Sequence, residues 1–201
     1  MKIPLHFSLQ LFFLFIFLFQ FNSSKSQNAI VYTVDTNKSQ LIWTGYYVFN
    51  FGEHTGSIKL SNGSIQATDQ SITSGYFEID MKSIKDTDMP EDDGGKDLVA
   101  HLKSEDFFAV DKFPFARFEI IKTEKIKDAK QGGPNFDVTG DLSIKGVKSS
   151  ITFPAFITFQ QDGLVARAKF KFDRTKWDIH YNSGKFFSDV GDGAISDAIA
   201  I

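Results

Sequence analysis

The chain has 201 residues, a formal charge of −3 and no cysteine. Without cysteine there is no disulfide framework, no thiol nucleophile and no thiolate metal site. An acidic balance lacks the basic footprint that nucleic acid or an anionic membrane surface demands.

In chain order, the first element lies outside the fold. Lys2 precedes a run from Phe7 to Phe21 that is almost wholly Phe and Leu, broken by Ser8, Gln10 and Gln20, and the chain then turns polar through Asn22 to Ser26. A basic start, a short apolar core and small residues at Ser24 and Ser26 read as a secretory signal peptide. The apolar run is interrupted and shorter than the roughly 20 residues of a spanning helix. Residues 1–26 are therefore expected to be cleaved, leaving Gln27 first and 27–201 as one domain, periplasmic or secreted. Losing Lys2 and Lys25 and no acid takes the charge from −3 to −5. No cysteine stands at the junction to carry a lipid, so no stable membrane anchor is expected. A mature chain of this length closes a hydrophobic core without staples.

From there the dominant period is two. Phe77, Ile79 and Met81 alternate with Tyr76, Glu78, Asp80 and Lys82; Phe136, Val138, Gly140, Leu142 and Ile144 with Asp137, Thr139, Asp141, Ser143 and Lys145; Leu164, Ala166, Ala168, Phe170 and Phe172 with Val165, Arg167, Lys169, Lys171 and Asp173. Each is a strand with one dry and one wet face. Less regular runs of the same kind cover 30–36, 40–49, 55–61, 64–68, 115–124, 150–159 and 194–201. A parallel sheet, covered on both faces, would show continuous apolar runs, so the sheet is predicted to be antiparallel. Asn62-Gly63 predicts a two-residue hairpin turn, Lys145-Gly146 and Asp162-Gly163 two further short connections, and Gln131 to Pro134 a longer one. One segment breaks the period. Leu98 and Leu102 fall at helical spacing with no turn signal from Lys96 to Ser104, which predicts a short helix inserted in a meander and placed to cover an open barrel end.

The dry faces add up to one apolar surface that must be buried. An all-β, closed antiparallel barrel of about eight strands buries it inward, with an interior either filled by side chains or able to hold a small ligand. Large rings interspersed with small residues (Gly45, Gly140, Ala155, Ala166, Ala168) fit both cases equally.

Little here reads as catalytic, and the expectation is that the protein is not an enzyme. The mature histidines are His54, His101 and His180, each in its own segment, so a metal centre or a hydrolase built on them requires three distant segments to converge. The acidic loop from Asp86 to Gly94 resembles a calcium loop at a glance. It lacks the ligand order, because Pro90 takes the third position and the closing Glu is absent. A solvated loop ahead of a helix is the better reading. No nucleophile elbow, phosphate loop or dinucleotide fingerprint is present. His101 with Ser104, Glu105 and Asp106 makes a poor triad, since a triad needs its base oriented by a third buried group. No metal and no cofactor are expected.

Several stretches carry a family resemblance. His101-Leu102-Lys103-Ser104-Glu105-Asp106-Phe107-Phe108, followed by Phe113-Pro114 and Phe118, resembles the signature segment of the YceI-like family of lipocalin-like, polyisoprenoid-binding periplasmic proteins. Gly52 to Gly56 is similar to the family's His-x-Gly start of an early strand. Val138 to Val147 resembles its TGDLTIKGV hairpin, and Arg174 to Ile179 with Gly191 and the run from Ile195 to Ile201 resembles its closing region. Two positions depart: Ala109 stands where an Asp usually follows the Phe-Phe pair, and Trp177-Asp178 where Phe-Gly is usual.

The resemblance implies an eight-stranded lipocalin-type barrel, a helix near its mouth and a long isoprenoid-type amphiphile in the lumen. The lining residues expected on that basis are Trp43, Phe77, Ile79, Phe118, Phe136, Leu142, Phe153, Phe170 and Phe172, with plain core packing as the alternative for each. His101 and Arg174 are candidates for contacts at the mouth or to a head group, against a structural hydrogen bond or ion pair. The function so implied is a carrier or sequestering protein for a polyisoprenoid, quinone-like or other lipidic molecule. The alternative from another class is a structural or partner-binding barrel with a packed interior. A homodimer is left open.

Overall fold

The computed structural model describes residues 28–49, 52–187 and 191–201; the segment read as a signal peptide lies outside them. Ten strands and one α-helix follow in order: β1 (Ile30–Thr33), β2 (Leu41–Tyr46), β3 (Glu53–Thr68), β4 (Ser71–Asp86), α1 (Gly95–Lys103), β5 (Phe115–Lys125), β6 (Phe136–Ile144), β7 (Val147–Gln160), β8 (Gly163–Ala168), β9 (Lys171–Asp173) and β10 (Ala198–Ala200). All pairings are antiparallel, in the spatial order β8-β7-β6-β5-β4-β3-β2-β10-β9, with β1 also on β3. The path is a meander curled on itself. Its two ends, β8 and β9, are parts of one run separated by Lys169 and Phe170, so the run expected as a single strand changes partner midway. Its first part pairs with β7, its last with β10, and Phe170 exchanges both backbone hydrogen bonds with Ile201 at 2.9 Å.

The inserted helix falls one residue from its expected bounds and packs against β4. Leu98 and Leu102 are both half-buried, and Leu102 packs against the core.

The Asn62-Gly63 turn does not form. Neither residue takes the positive φ that such a turn requires, and β3 runs straight through both. The chain turns instead at Asp69 (φ 47°) and Gln70 (φ 62°), between the paired Thr68 and Ser71. What interrupts the pattern at Asn62 is a register shift in the β3–β4 ladder between Leu60 and Asn62. Ile58 and Leu60 are buried before it, and Gly63, Ile65 and Ala67 after it. The bulge changes the parity of the strand and keeps both halves facing inward. Gly63 is needed for closeness rather than for a turn, since a Cβ there would meet Val34 Cγ2 at 2.7 Å and the Tyr76 carbonyl at 2.9 Å. The Lys145-Gly146 hairpin forms as expected, with φ of 52° and 77° joining the paired Ile144 and Val147.

Both departures from the family pattern sit in left-handed backbone: Ala109 has φ 46° and Asp178 φ 59°. An Asp tolerates that region better than most residues, so Asp178 keeps the geometry that a Gly supplies freely.

A 3-10 turn over Arg174–Trp177 follows β9 and buries Arg174 and Trp177. Trp177 is fully enclosed and donates from Nε1 to the Leu142 carbonyl at 2.7 Å, tying the turn to β6. Asp173 caps the turn, accepting from Thr175 N at 3.0 Å and Thr175 Oγ1 at 2.6 Å, and its other oxygen meets Lys185 Nζ at 2.7 Å. Burial alone would raise its pKa, but the bonds from Lys185 and Thr175 prevail and lower it to about 2. The folded value lies below the ordinary 3.8, so this stabilisation is complete above about pH 4 and is lost as the pH falls towards 2. Discounted for partial exposure, Asp173→Asn should cost about 1–2 kcal/mol at pH 7. Urea titrations of wild type and variant should converge near pH 2; an equal gap at pH 7 and pH 2 would show that the charge is not what matters.

Candidate ligand-binding site

Residues directly opposite on neighbouring strands share a face, so register decides what lines the interior. Phe136, Val138, Gly140, Leu142 and Ile144 of β6 are all buried. Opposite Leu142 and Gly140 on β5 stand Phe118 and Ile120, and opposite Phe118 and Ala116 on β4 stand Phe77 and Ile79. On the other side Phe153 and Ala155 of β7 face Val138 and Phe136. Trp43 of β2 is opposite Gly56 of β3, and Phe172 of β9 opposite Ile199 of β10. Phe170 lies parallel to Phe153 with ring centroids 4.1 Å apart, and Phe153 meets Phe118 at 5.5 Å. All nine predicted lining residues therefore fall on the concave face. Gly140 is what lets the Phe118 ring lie against β6, because a Cβ there would collide with that ring and with the Glu119 carbonyl.

Their burial differs. Phe118, Phe136 and Leu142 are buried, but Trp43, Phe77, Ile79, Phe153, Phe170 and Phe172 are only half-buried. On β8, Ala166 and Ala168 pair with the buried Ile157 and Ala155, so they point inward, and yet both are exposed. The concave face thus keeps apolar surface open to solvent along β7, β8 and β9. A cleft of about 230 Å³ also opens at the seam, between Ser150–Thr152 and Phe170–Asp173. A second depression, of about 480 Å³, includes Tyr76, Arg117, Glu119 and Asp141. Those residues lie on the opposite, wet face of β4, β5 and β6, so this depression is separate from the aromatic interior.

Sequence reasoning missed Tyr32, Ile120, Ile151 and Phe159, which pack on the same apolar cluster. Tyr32 and Phe159 meet at 6.4 Å across the interior. They lie in less regular runs, where only pairing sets the parity.

The two polar candidates sit differently. His101, in the last turn of α1, stands edge-on to Tyr181 at 4.5 Å and to Phe107 at 5.0 Å, with Nε2 3.4 Å from Asp106. Arg174 is 1% exposed, and its guanidinium donates to the carbonyls of Ser196, Ile179 and Ile195. Burial draws its pKa down, opposed by Asp197 and Asp173. The three histidines do not converge. His180 stacks on Phe186 at 3.8 Å, while His54 lies against Tyr47 and beside Asp88.

The sequence pattern of the YceI-like domain matches residues 32–201. The chain belongs to the YceI-like family. No curated protein matches this sequence, but solved structures share the YceI-like fold. The chain is similar to BcnA of Burkholderia cenocepacia (21% identity, 83% of this chain and 94% of that one, TM-score 0.60). It is similar to the YceI protein of Campylobacter jejuni (21%, 85% and 92%, TM-score 0.53). It also resembles a polyisoprenoid binding domain from Saccharophagus degradans implicated in plant cell wall breakdown (12%, 84% and 92%, TM-score 0.59). The all-β YceI-like architecture, with one short α-helix among the described residues, is thereby established.

Proposed function

We propose that this protein is an exported carrier or sequestering protein that holds a polyisoprenoid, quinone-like or other lipidic amphiphile against its aromatic concave face. It works by non-covalent binding, without a catalytic centre. The observation that carries this reading is the half-buried state of six inward residues together with the exposed, inward-facing Ala166 and Ala168. A fully packed interior would bury them all, as β6 does. Apolar surface left open inside a fold gains roughly 25 cal/mol per Å² when a lipid covers it. Ordering and desolvation leave about 0.3 kcal/mol per heavy atom for a ligand of drug-like size. A similar fold in a polyisoprenoid binding domain favours an isoprenoid over other lipids. The seam cleft beside Phe170 and Phe172 gives the chain of such a ligand a way past the wall. His101, partly exposed and flanked by two rings, is the polar group we assign to the mouth. Arg174, enclosed and already donating to three backbone carbonyls, we assign to holding the fold.

Mass spectrometry of organic extracts from the purified protein tests this directly. The expected result is a co-purifying isoprenoid-type lipid near one per chain, or uptake of an added prenyl lipid by delipidated protein. Neither extractable lipid nor uptake would favour the packed, partner-binding alternative.

A further inference from the structure

At the end of the sheet where α1 packs, three side chains from two stretches of chain meet at the rim of the concave face. His54 is the second residue of β3 and Asp86 the last of β4. Asp86 pairs with Gly56, which brings the two side chains to one edge. Asp88 follows in the loop. One ligating atom from each, an imidazole nitrogen and two carboxylate oxygens, lies within 4.8 Å of the others, and His54 Nδ1 is 3.6 Å from Asp88 Oδ2. Two of these side chains carry atoms that are shielded from solvent and have no hydrogen-bond partner: His54 Nδ1 and Asp86 Oδ2. A buried polar atom left without a partner costs about 1–3 kcal/mol, so a pair of them side by side marks a place where something else belongs. Two carboxylates brought this close repel unless a shared proton or a cation lies between them.

The groups are held in place from behind, as the ligands of a metal are. Asp86 Oδ1 accepts from Met89 N at 2.7 Å. The loop is pinned to β3 where Thr87 donates from N and Oγ1 to the Thr55 carbonyl at 2.9 and 3.0 Å. The ring of Tyr47 stands edge-on to His54 at 5.8 Å.

We propose that His54, Asp86 and Asp88 form a binding site for a divalent transition-metal ion of the Zn²⁺ type. One imidazole with two carboxylates is the donor set such ions accept, whereas calcium and magnesium take oxygen alone. Ligands about 2.1 Å from a common tetrahedral ion stand about 3.4 Å apart, so a small closure of the three side chains completes the site. The fourth position is left to water. The bound ion clamps the start of β3 to the end of β4 and to the loop that leads into α1.

Isothermal titration with ZnCl₂ tests it, using purified wild type, His54→Gln, Asp88→Asn and, as a control, His180→Gln. The expected result is one ion per wild-type chain, a rise in melting temperature with Zn²⁺, and affinity lower by more than about ten-fold in the first two variants. The control should bind as wild type. Long-range ¹H–¹⁵N NMR of the imidazoles gives a reading that needs no variant: Zn²⁺ should move His54 Nδ1 and leave His101 and His180 in place. Absence of stoichiometric binding would overturn the proposal, and so would binding that survives both ligand substitutions or that shifts another histidine.

Discussion

Replacing Arg174 with alanine should lower the free energy of unfolding by about 3–5 kcal/mol, a large part of the total for a domain of this size. The guanidinium is 1% exposed. Its Nε donates to Ser196 O at 3.1 Å, NH1 to Ile179 O at 2.9 Å and NH2 to Ile195 O at 3.3 Å, and Asp197 lies 3.7 Å away. One planar fork therefore joins the turn after β9 to two other stretches of chain beside the sheet's seam. Alanine would leave three carbonyls without that donor and a void among Phe107, Ile179 and Ile195. Arg174→Lys should recover only a fraction, because an ammonium on a flexible stem does not reproduce the fixed directions of the fork. Urea unfolding should show a lower midpoint with an unchanged slope. A loss below about 1 kcal/mol for the alanine variant would mean that the seam is held elsewhere.

The second large effect concerns the lumen. Phe170→Asp should abolish retention of lipid while leaving the protein folded. The Phe170 ring lies 4.1 Å from that of Phe153, at an interplanar angle of 7°, while its backbone is fixed by two hydrogen bonds to Ile201. Losing the stacked pair costs about 1 kcal/mol beyond the apolar contact of the ring, and because Phe170 is only half-buried the fold should survive the change. A carboxylate against an apolar ligand is either desolvated, at several kcal/mol, or forced to take up a proton. Lys169→Glu, one residue away on the exposed face, should change retention little. Transfer of a fluorescent prenyl analogue to delipidated protein would measure both. Equal binding by Phe170→Asp and wild type would place the ligand on some other surface.

What was legible in the sequence was whatever a strand or helix expresses locally. The alternation of Phe136 to Ile144 became β6 with a wholly buried inward face, because side-chain direction in a strand repeats every two residues whatever it pairs with. The helix near Lys96 and the Lys145-Gly146 turn were legible for the same reason, and the parity of Phe170 and Phe172 held across the break between β8 and β9. Asn62-Gly63 misled because the same dipeptide serves a turn or a bulge, and only the partner strand distinguishes them.

The sequence alone determined an antiparallel, period-two chain whose dry faces must close on each other, since hydrophobic patterning and turn chemistry act over a few residues. It also carried enough of the family's signature to name the family. Tertiary structure decided how tightly those residues pack, leaving Ala166 and Ala168 exposed opposite buried partners. It enclosed Arg174 among carbonyls that lie up to 22 residues away in the chain, and it brought His54 to Asp86 and Asp88 across a hairpin. Those outcomes depend on register, bulges and the curl of the sheet, which sum over many pairings and leave no mark in the spacing of any single segment.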